Sequence, residues 1–160
     1  MIYKMRKDFQ KINLLFYVGF FLVACSAEQP DLNIQEEPKY NDEISGLKIR
    51  TLIEGSGETA NNGDILKMHY TGWLYDANML NNQGDKFDSS LDRGKAFEFK
   101  LGVDSLIKGW ELGVMNMSVG ESRELIISPE MGYGDRSIGG IPSQSTLIFQ
   151  VELIDLVKKD

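Results

Sequence analysis

The amino-acid pattern predicts an α+β domain in which an antiparallel β-sheet wraps around one short α-helix. Two observations point there. Five runs alternate apolar and polar residues with the period of two that a half-buried strand requires, and a single stretch shows helical spacing instead. At 160 residues, 42% hydrophobic and 26% charged, the chain fits one ordinary globular domain with something appended, and no internal repeat is visible.

The first strand is expected over 47–53, where Leu47, Ile49, Thr51 and Ile53 alternate with Lys48, Arg50 and Leu52. Gly55, Ser56 and Gly57 end it. A second strand, 65–75, is introduced by the turn Asn62-Gly63-Asp64, whose glycine takes positive φ without steric penalty. Leu66, Met68 and Tyr70 share one of its faces. The third begins at Phe97, with Phe97, Phe99 and Leu101 on one side and Glu98 and Lys100 on the other. Two more follow over 123–128 and 146–157, the last placing Leu147, Phe149, Val151 and Leu153 together.

The helix is expected over 106–115, where Ile107, Trp110 and Val114 recur at helical spacing and Asp104 and Ser105 can cap its start. Gly109 and Gly113 weaken it by about 1 kcal/mol each, so packing has to hold it.

The front of the chain differs. Lys4, Arg6, Lys7 and Lys11 precede an apolar run over 14–24, and those 11 residues are about half of the ~20 that a membrane-spanning helix needs. A secretory signal fits better than an anchor helix. Leu22, Val23, Ala24 and Cys25 resemble the bacterial lipoprotein signal. That resemblance implies that 1–24 is a signal peptide and that Cys25 is lipidated as the mature N-terminus. Residues 25–45 then form a flexible tether carrying Pro30 and Pro38, 46–160 form the folded domain, and the protein sits on a membrane in the bacterial cell envelope, facing periplasm or exterior. The alternative is a stray thiol in an uncleaved helix. Cys25 is the only cysteine, so no disulfide forms within one chain.

Without residues 1–24, 13 basic residues face 23 acidic ones, a formal charge of −10. Nucleic acid is not an expected partner, because binding it takes basic residues that displace counterions from phosphates. His69 is the only histidine, which leaves no material for a triad or a zinc site. Asp76, Asn78, Asn81, Asn82 and Asp85 suggest a calcium loop superficially, yet counting from Asp76 puts Asn81 and Phe87 where an EF-hand needs Gly and Glu. Gly139-Gly140 lacks the Lys-Ser/Thr of a phosphate loop and reads as a turn. No metal or cofactor is expected.

Five blocks remain, in order: HYTG (69–72), KFDSSLDRGKAFEF (86–99), LGVDSLIKGWELGV (101–114), SPEMGYG (128–134) and TLIFQVELIDL (146–156). Together they resemble the FKBP-type peptidyl-prolyl cis-trans isomerases over roughly residues 46 to 158, far more specifically than one short motif would. The resemblance implies an FKBP-like fold and isomerisation of X-Pro bonds without nucleophile or cofactor. It casts Trp110 as the floor for the proline ring, Tyr70, Phe97 and Phe149 as walls, and Leu106 and Ile107 as the entrance. It makes the Ile107 N–H and the Tyr133 hydroxyl donors to substrate carbonyls, sets Phe87 and Asp88 beside the rotating amide with Arg93 nearby, and gives Asp88 an electrostatic role. His69 becomes a structural neighbour of the pocket.

Each residue also has a plainer reading. Aromatics on strands are mostly core, and Asp88-Ser89-Ser90 alone would be a solvated turn. Trp110 resists this, since its flanking glycines suit a ligand platform. Two departures from the family pattern stand out: a longer connection over 75–86, and a loop over 134–145 about one residue short, with Ser143 where a second proline is common. Ile141 is the best match for the hydrophobic residue at that loop's tip.

The implied partners are proline-containing protein clients and macrolide inhibitors, for a monomeric enzyme that assists folding of extracytoplasmic proteins. The rival is a chaperone-like or scaffolding module that binds proline-containing segments with little catalysis. A role in a surface machine for gliding or secretion is a third reading that nothing in the residues singles out.

Overall fold

The computed structural model describes residues 39–159. The expected signal peptide, Cys25 and residues 25–38 of the expected tether lie outside them. Seven strands, β1 (Asp42–Ile44), β2 (Leu47–Ile53), β3 (Ile65–Tyr75), β4 (Gln83–Ser89), β5 (Phe97–Lys100), β6 (Ser122–Ile127) and β7 (Leu147–Val157), accompany one helix, α1 (Lys108–Gly113). All strand pairs are antiparallel, in the order β1-β2-β6-β7-β3-β4. β3 is the long spine: β7 pairs with one edge from Ile65 to Leu74, while β5 and β4 share the other edge at Ile65–Met68 and Thr71–Tyr75. A register shift opposite Lys67/Met68 bends the β3–β7 pair, as an extra residue in one strand does. The α+β architecture is the one expected.

Four boundaries differ from the expectation. β1 lies within the span read as tether, pairing Asp42 with Ile49 and Ile44 with Leu47 around Gly46 at φ +83°. Tyr40 is fastened too, its hydroxyl donating to Glu124 Oε1 at 3.3 Å and its ring facing the Arg50 guanidinium at 5.8 Å. The ordered domain therefore starts before residue 46. β4 occupies part of the span read as a long connection, and in it Asp88 and Ser89 are strand residues, not a solvated turn. In β2 the alternation fails past a bulge between Thr51 and Ile53, leaving Ile53 exposed.

Finally, α1 is shorter than 106–115. Leu106 and Ile107 stay out of the helix, with Ile107 extended (φ −68°, ψ 145°). Asp104 does not cap α1, because its carboxylate accepts the Lys100 N–H at 2.8 Å.

One core lies between α1 and the sheet's inner face: Leu66, Met68, Leu125, Ile127, Leu147, Phe149, Val151 and Leu153 close over Trp110, Val114 and Met117. The helix lies unusually close to β6. A Cβ on Gly109 would stand 2.5 Å from Ile127 Cγ2, and one on Gly113 would stand 2.6 Å from Leu125 Cδ1. The glycines beside Trp110 thus serve helix-to-strand approach, not ligand room. Arg123 of β6 then caps the far end, donating to the carbonyls of Gly113 at 2.9 Å and Met115 at 3.0 Å, which a helix terminus leaves unpaired.

Candidate functional site

A cavity of about 730 Å³ opens between α1, the inner faces of β3, β4, β5 and β7, and the segment after β6. Tyr70, Phe87, Asp88, Phe97, Leu106, Ile107, Trp110, Tyr133, Ile141 and Phe149 all line it, so every residue singled out for the pocket reaches it except Arg93. Trp110, 4% exposed, is the hub at the base. Its indole meets Tyr70 at 5.2 Å and Phe149 at 5.4 Å, both at 90°, and Phe97 at 6.1 Å and 79°. Edge-to-face contacts of this kind suit the ring quadrupole and fix each ring's orientation. Phe87 joins through an edge contact with Phe149 at 5.4 Å, which requires a glycine opposite: a Cβ on Gly72 would stand 2.6 Å from Phe87 Cζ.

Polar groups fix one side. The Tyr70 hydroxyl donates to Asp88 Oδ2 at 2.5 Å and accepts from Arg93 Nη2 at 2.9 Å, while Arg93 Nη1 pairs with Asp88 Oδ1. Arg93 thus stands behind Asp88, outside the cavity, closing a three-member ring with its guanidinium 5.6 Å from the Tyr70 ring centre. Partial burial acts to raise the Asp88 pKa, but the bonds from Tyr70 and Arg93 outweigh it and hold the carboxyl below its ordinary value. Burial, then the Asp88 bond, raises the Tyr70 phenol. Asp88 is therefore a carboxylate favoured in its charged form and held in place by two donors.

The backbone beneath this ring is tied as well. Ser90 is fully buried, its Oγ accepting the Tyr70 N–H at 2.9 Å and lying 3.0 Å from His69 Nδ1. His69 does not line the cavity, and its side chain is linked to it only through Ser90. Ser89 Oγ lies 2.9 Å from Thr71 Oγ1.

The opposite side is sparser. Neither the Ile107 N–H nor the Tyr133 hydroxyl has a hydrogen-bond partner among the described residues, and both residues line the cavity. Burial, then the charge of Asp88, raises the Tyr133 phenol, with Arg136 opposing. Ile141 is not at a loop tip. Ile138 and Ile141 exchange N–H···O bonds of 3.0 and 2.9 Å around Gly139-Gly140, so the glycines form the tip, Ile138 is exposed and Ile141 is 5% exposed in the wall. The reading of Gly139-Gly140 as a turn holds.

Sequence reasoning did not pick out Ser105, Lys108, Glu130, Arg136 and Ile138, which line the rim, or Arg123, which fixes the helix. Their side chains carry no aromatic or periodic signal. The Asp76 carboxylate accepts the Asn78 N–H at 2.9 Å and closes a turn, and no cluster of His, Cys, Asp and Glu suited to a metal occurs among the described residues.

The cleft thus combines apolar walls, two donors without partners among the described residues and one fixed negative charge. The model of the FKBP-type peptidyl-prolyl cis-trans isomerase family matches residues 56–154, and the chain belongs to that family. It is 56% identical to FK506-binding protein 2 of Dictyostelium discoideum over 144 residues, covering 89% of this chain and 95% of that one. With an FK506-binding protein of Neisseria meningitidis it shares 47% over 112 residues, covering 69% and 96%. The crystal structure of AtFKBP13 superposes with a TM-score of 0.65 at 36% identity, covering 75% of this chain and all of that one. FkpA from Escherichia coli matches with the same score and identity over 76% of this chain and 53% of its own. The protein is an FKBP-type peptidyl-prolyl cis-trans isomerase.

Proposed function

We propose that the enzyme isomerises X-Pro bonds by seating the proline ring on Trp110, between Tyr70, Phe97 and Phe149. The barrier to rotation is about 20 kcal/mol, because twisting the amide removes its resonance. Water stabilises the planar, charge-separated form, and an apolar cup withholds that stabilisation. As the amide twists, the Ile107 N–H and Tyr133 hydroxyl hold the neighbouring carbonyls while Asp88 supplies a preoriented charge beside the rotating group. Lowering the barrier by about 5 to 6 kcal/mol accelerates exchange roughly ten-thousand-fold.

The observation that carries this reading is the pairing of a Trp110 floor with two donors left without partners beside it. Exchange spectroscopy on a proline tetrapeptide tests it. Acceleration over buffer, abolished by a saturating rapamycin-type macrolide, is the expected result. Peptide binding without acceleration would favour the chaperone-like or scaffolding reading.

We further infer that the chain is a bacterial lipoprotein, anchored through Cys25, that works as a monomer on extracytoplasmic clients. Basic residues, a short apolar run and Leu22-Val23-Ala24-Cys25 in succession support this. Cys25→Ser should abolish lipid labelling and leave the precursor uncut. Equal retention of mutant and wild type in carbonate-washed membranes would argue for an anchor helix.

A further inference from the structure

The cavity's rim carries charge that the aromatic cup does not use. Lys108 and Arg136 both line the mouth and both are exposed. Each stands beside one of the unpaired donors. Lys108 follows Ile107 directly, while the Arg136 N–H donates to the Tyr133 carbonyl at 3.1 Å and its charge acts on the Tyr133 phenol. Among the described residues, neither cation has a carboxylate within ion-pair distance.

Two of the nearby carboxylates are committed elsewhere. Asp88 is held by Arg93 and Tyr70, and Asp135 accepts from the Gln144 amide. Glu130 is the other anion on the rim; it is exposed and, among the described residues, forms no ion pair with either cation. The chain as a whole carries a formal charge of −7, so two uncommitted cations flanking one cleft run against its average.

We propose that Lys108 and Arg136 are specificity-determining residues that favour client segments bearing Asp or Glu on either side of the X-Pro pair. This rests on the reading that the cavity seats a proline-containing segment with its carbonyls on Ile107 and Tyr133. A segment so held runs past Lys108 on one side of the proline and Arg136 on the other. Acidic side chains there meet a cation, and basic ones are repelled. Exposed ion pairs are individually weak, about two- to fivefold in affinity each, and salt screens them.

The test uses the full chain and short peptides with a central Leu-Pro, flanked on both sides by Glu, Ala or Lys. Affinity is read by calorimetry and turnover by exchange spectroscopy. The Glu-flanked peptide should bind about four- to twenty-five-fold more tightly than the Lys-flanked one, and the difference should collapse in about 1 M salt. In the Lys108→Glu/Arg136→Glu double variant the order should reverse. Equal wild-type affinities, a Lys preference, or a Glu preference that survives high salt or the double variant would overturn the proposal. The catalytic reading is judged separately: binding of the Ala-flanked peptide without turnover sinks catalysis while the affinity ratios still decide specificity. Failure of all three peptides to bind defeats both.

Discussion

The two sides of the cleft are built in different ways. On the β3–β4 side, Tyr70 and Asp88 belong to paired strands, and the hydroxyls of Ser89, Ser90 and Thr71 bond beneath them. On the other side, Tyr133, Arg136, Ile138 and Ile141 follow a single 3₁₀ turn, Pro129–Met131, and the loop's tip is closed by one pair of backbone bonds around two glycines. The first wall is preorganised, so its charge sits in place before the amide twists. The second is held from within the loop, by buried Ile141, by the Gln144 N–H bond to the Gly134 carbonyl at 2.8 Å and by the Ser137 hydroxyl donating to the Ile141 carbonyl at 3.0 Å, with no neighbouring strand behind it among the described residues. Turnover should depend more strongly on the first wall, with Tyr133 the second wall's contribution to it, and client choice on the second.

The largest effect should come from the floor between the two walls. Trp110→Ala removes the floor and leaves a core cavity, costing about 3–5 kcal/mol of stability and weakening peptide binding together. Denaturant unfolding checks the first and calorimetry the second. Asp88→Ala breaks the rigid wall's charged ring, whose bonds to an ionised group are worth about 1.5–3 kcal/mol, so turnover should fall about tenfold to a hundredfold with a smaller loss of peptide affinity. Tyr133→Phe removes one neutral donor from the loop wall and should slow exchange a few-fold to tenfold. Equal losses of affinity and rate in these two variants would make both side chains uniform binders.

The smallest effect is on pH dependence. The folded Asp88 pKa lies below its unfolded value, so its contribution is present above about pH 3.9 and is lost only as pH falls through the lower folded value. Tyr133 is raised, so its phenol stays a donor past about pH 10. Turnover should therefore be flat across neutral pH.

The same contrast explains how much was legible in the sequence. β3, β5, β6 and β7 bury one face, so alternation marks them, and the aromatic cup follows from those strands and the ordered family blocks. β4 reads QGDKFDS, with Phe87 its only large apolar residue, and it is a strand because β3 supplies backbone partners that no local pattern announces. β1 is three residues long and owes its place to pairing with β2. Helical spacing at Ile107 is real but misleading, because extended geometry there frees an N–H at the cleft. Ile141 was misplaced because two glycines close the hairpin between it and Ile138. Arg123 holds the helix through backbone carbonyls, which leave no trace in residue type.

The edge position of β1 has a mechanical consequence. It is the outermost strand of the sheet, joined to β2 by a tight hairpin, with Tyr40 clasped to Glu124 just before it. A pull on the chain from its N-terminal side would load that clasp first and then peel β1 from Asp42 inward, one backbone bond at a time, before any bond between β2 and β6 was strained. The hairpin would act as a fuse, yielding at low force and letting the sheet and its cleft ride out tension intact.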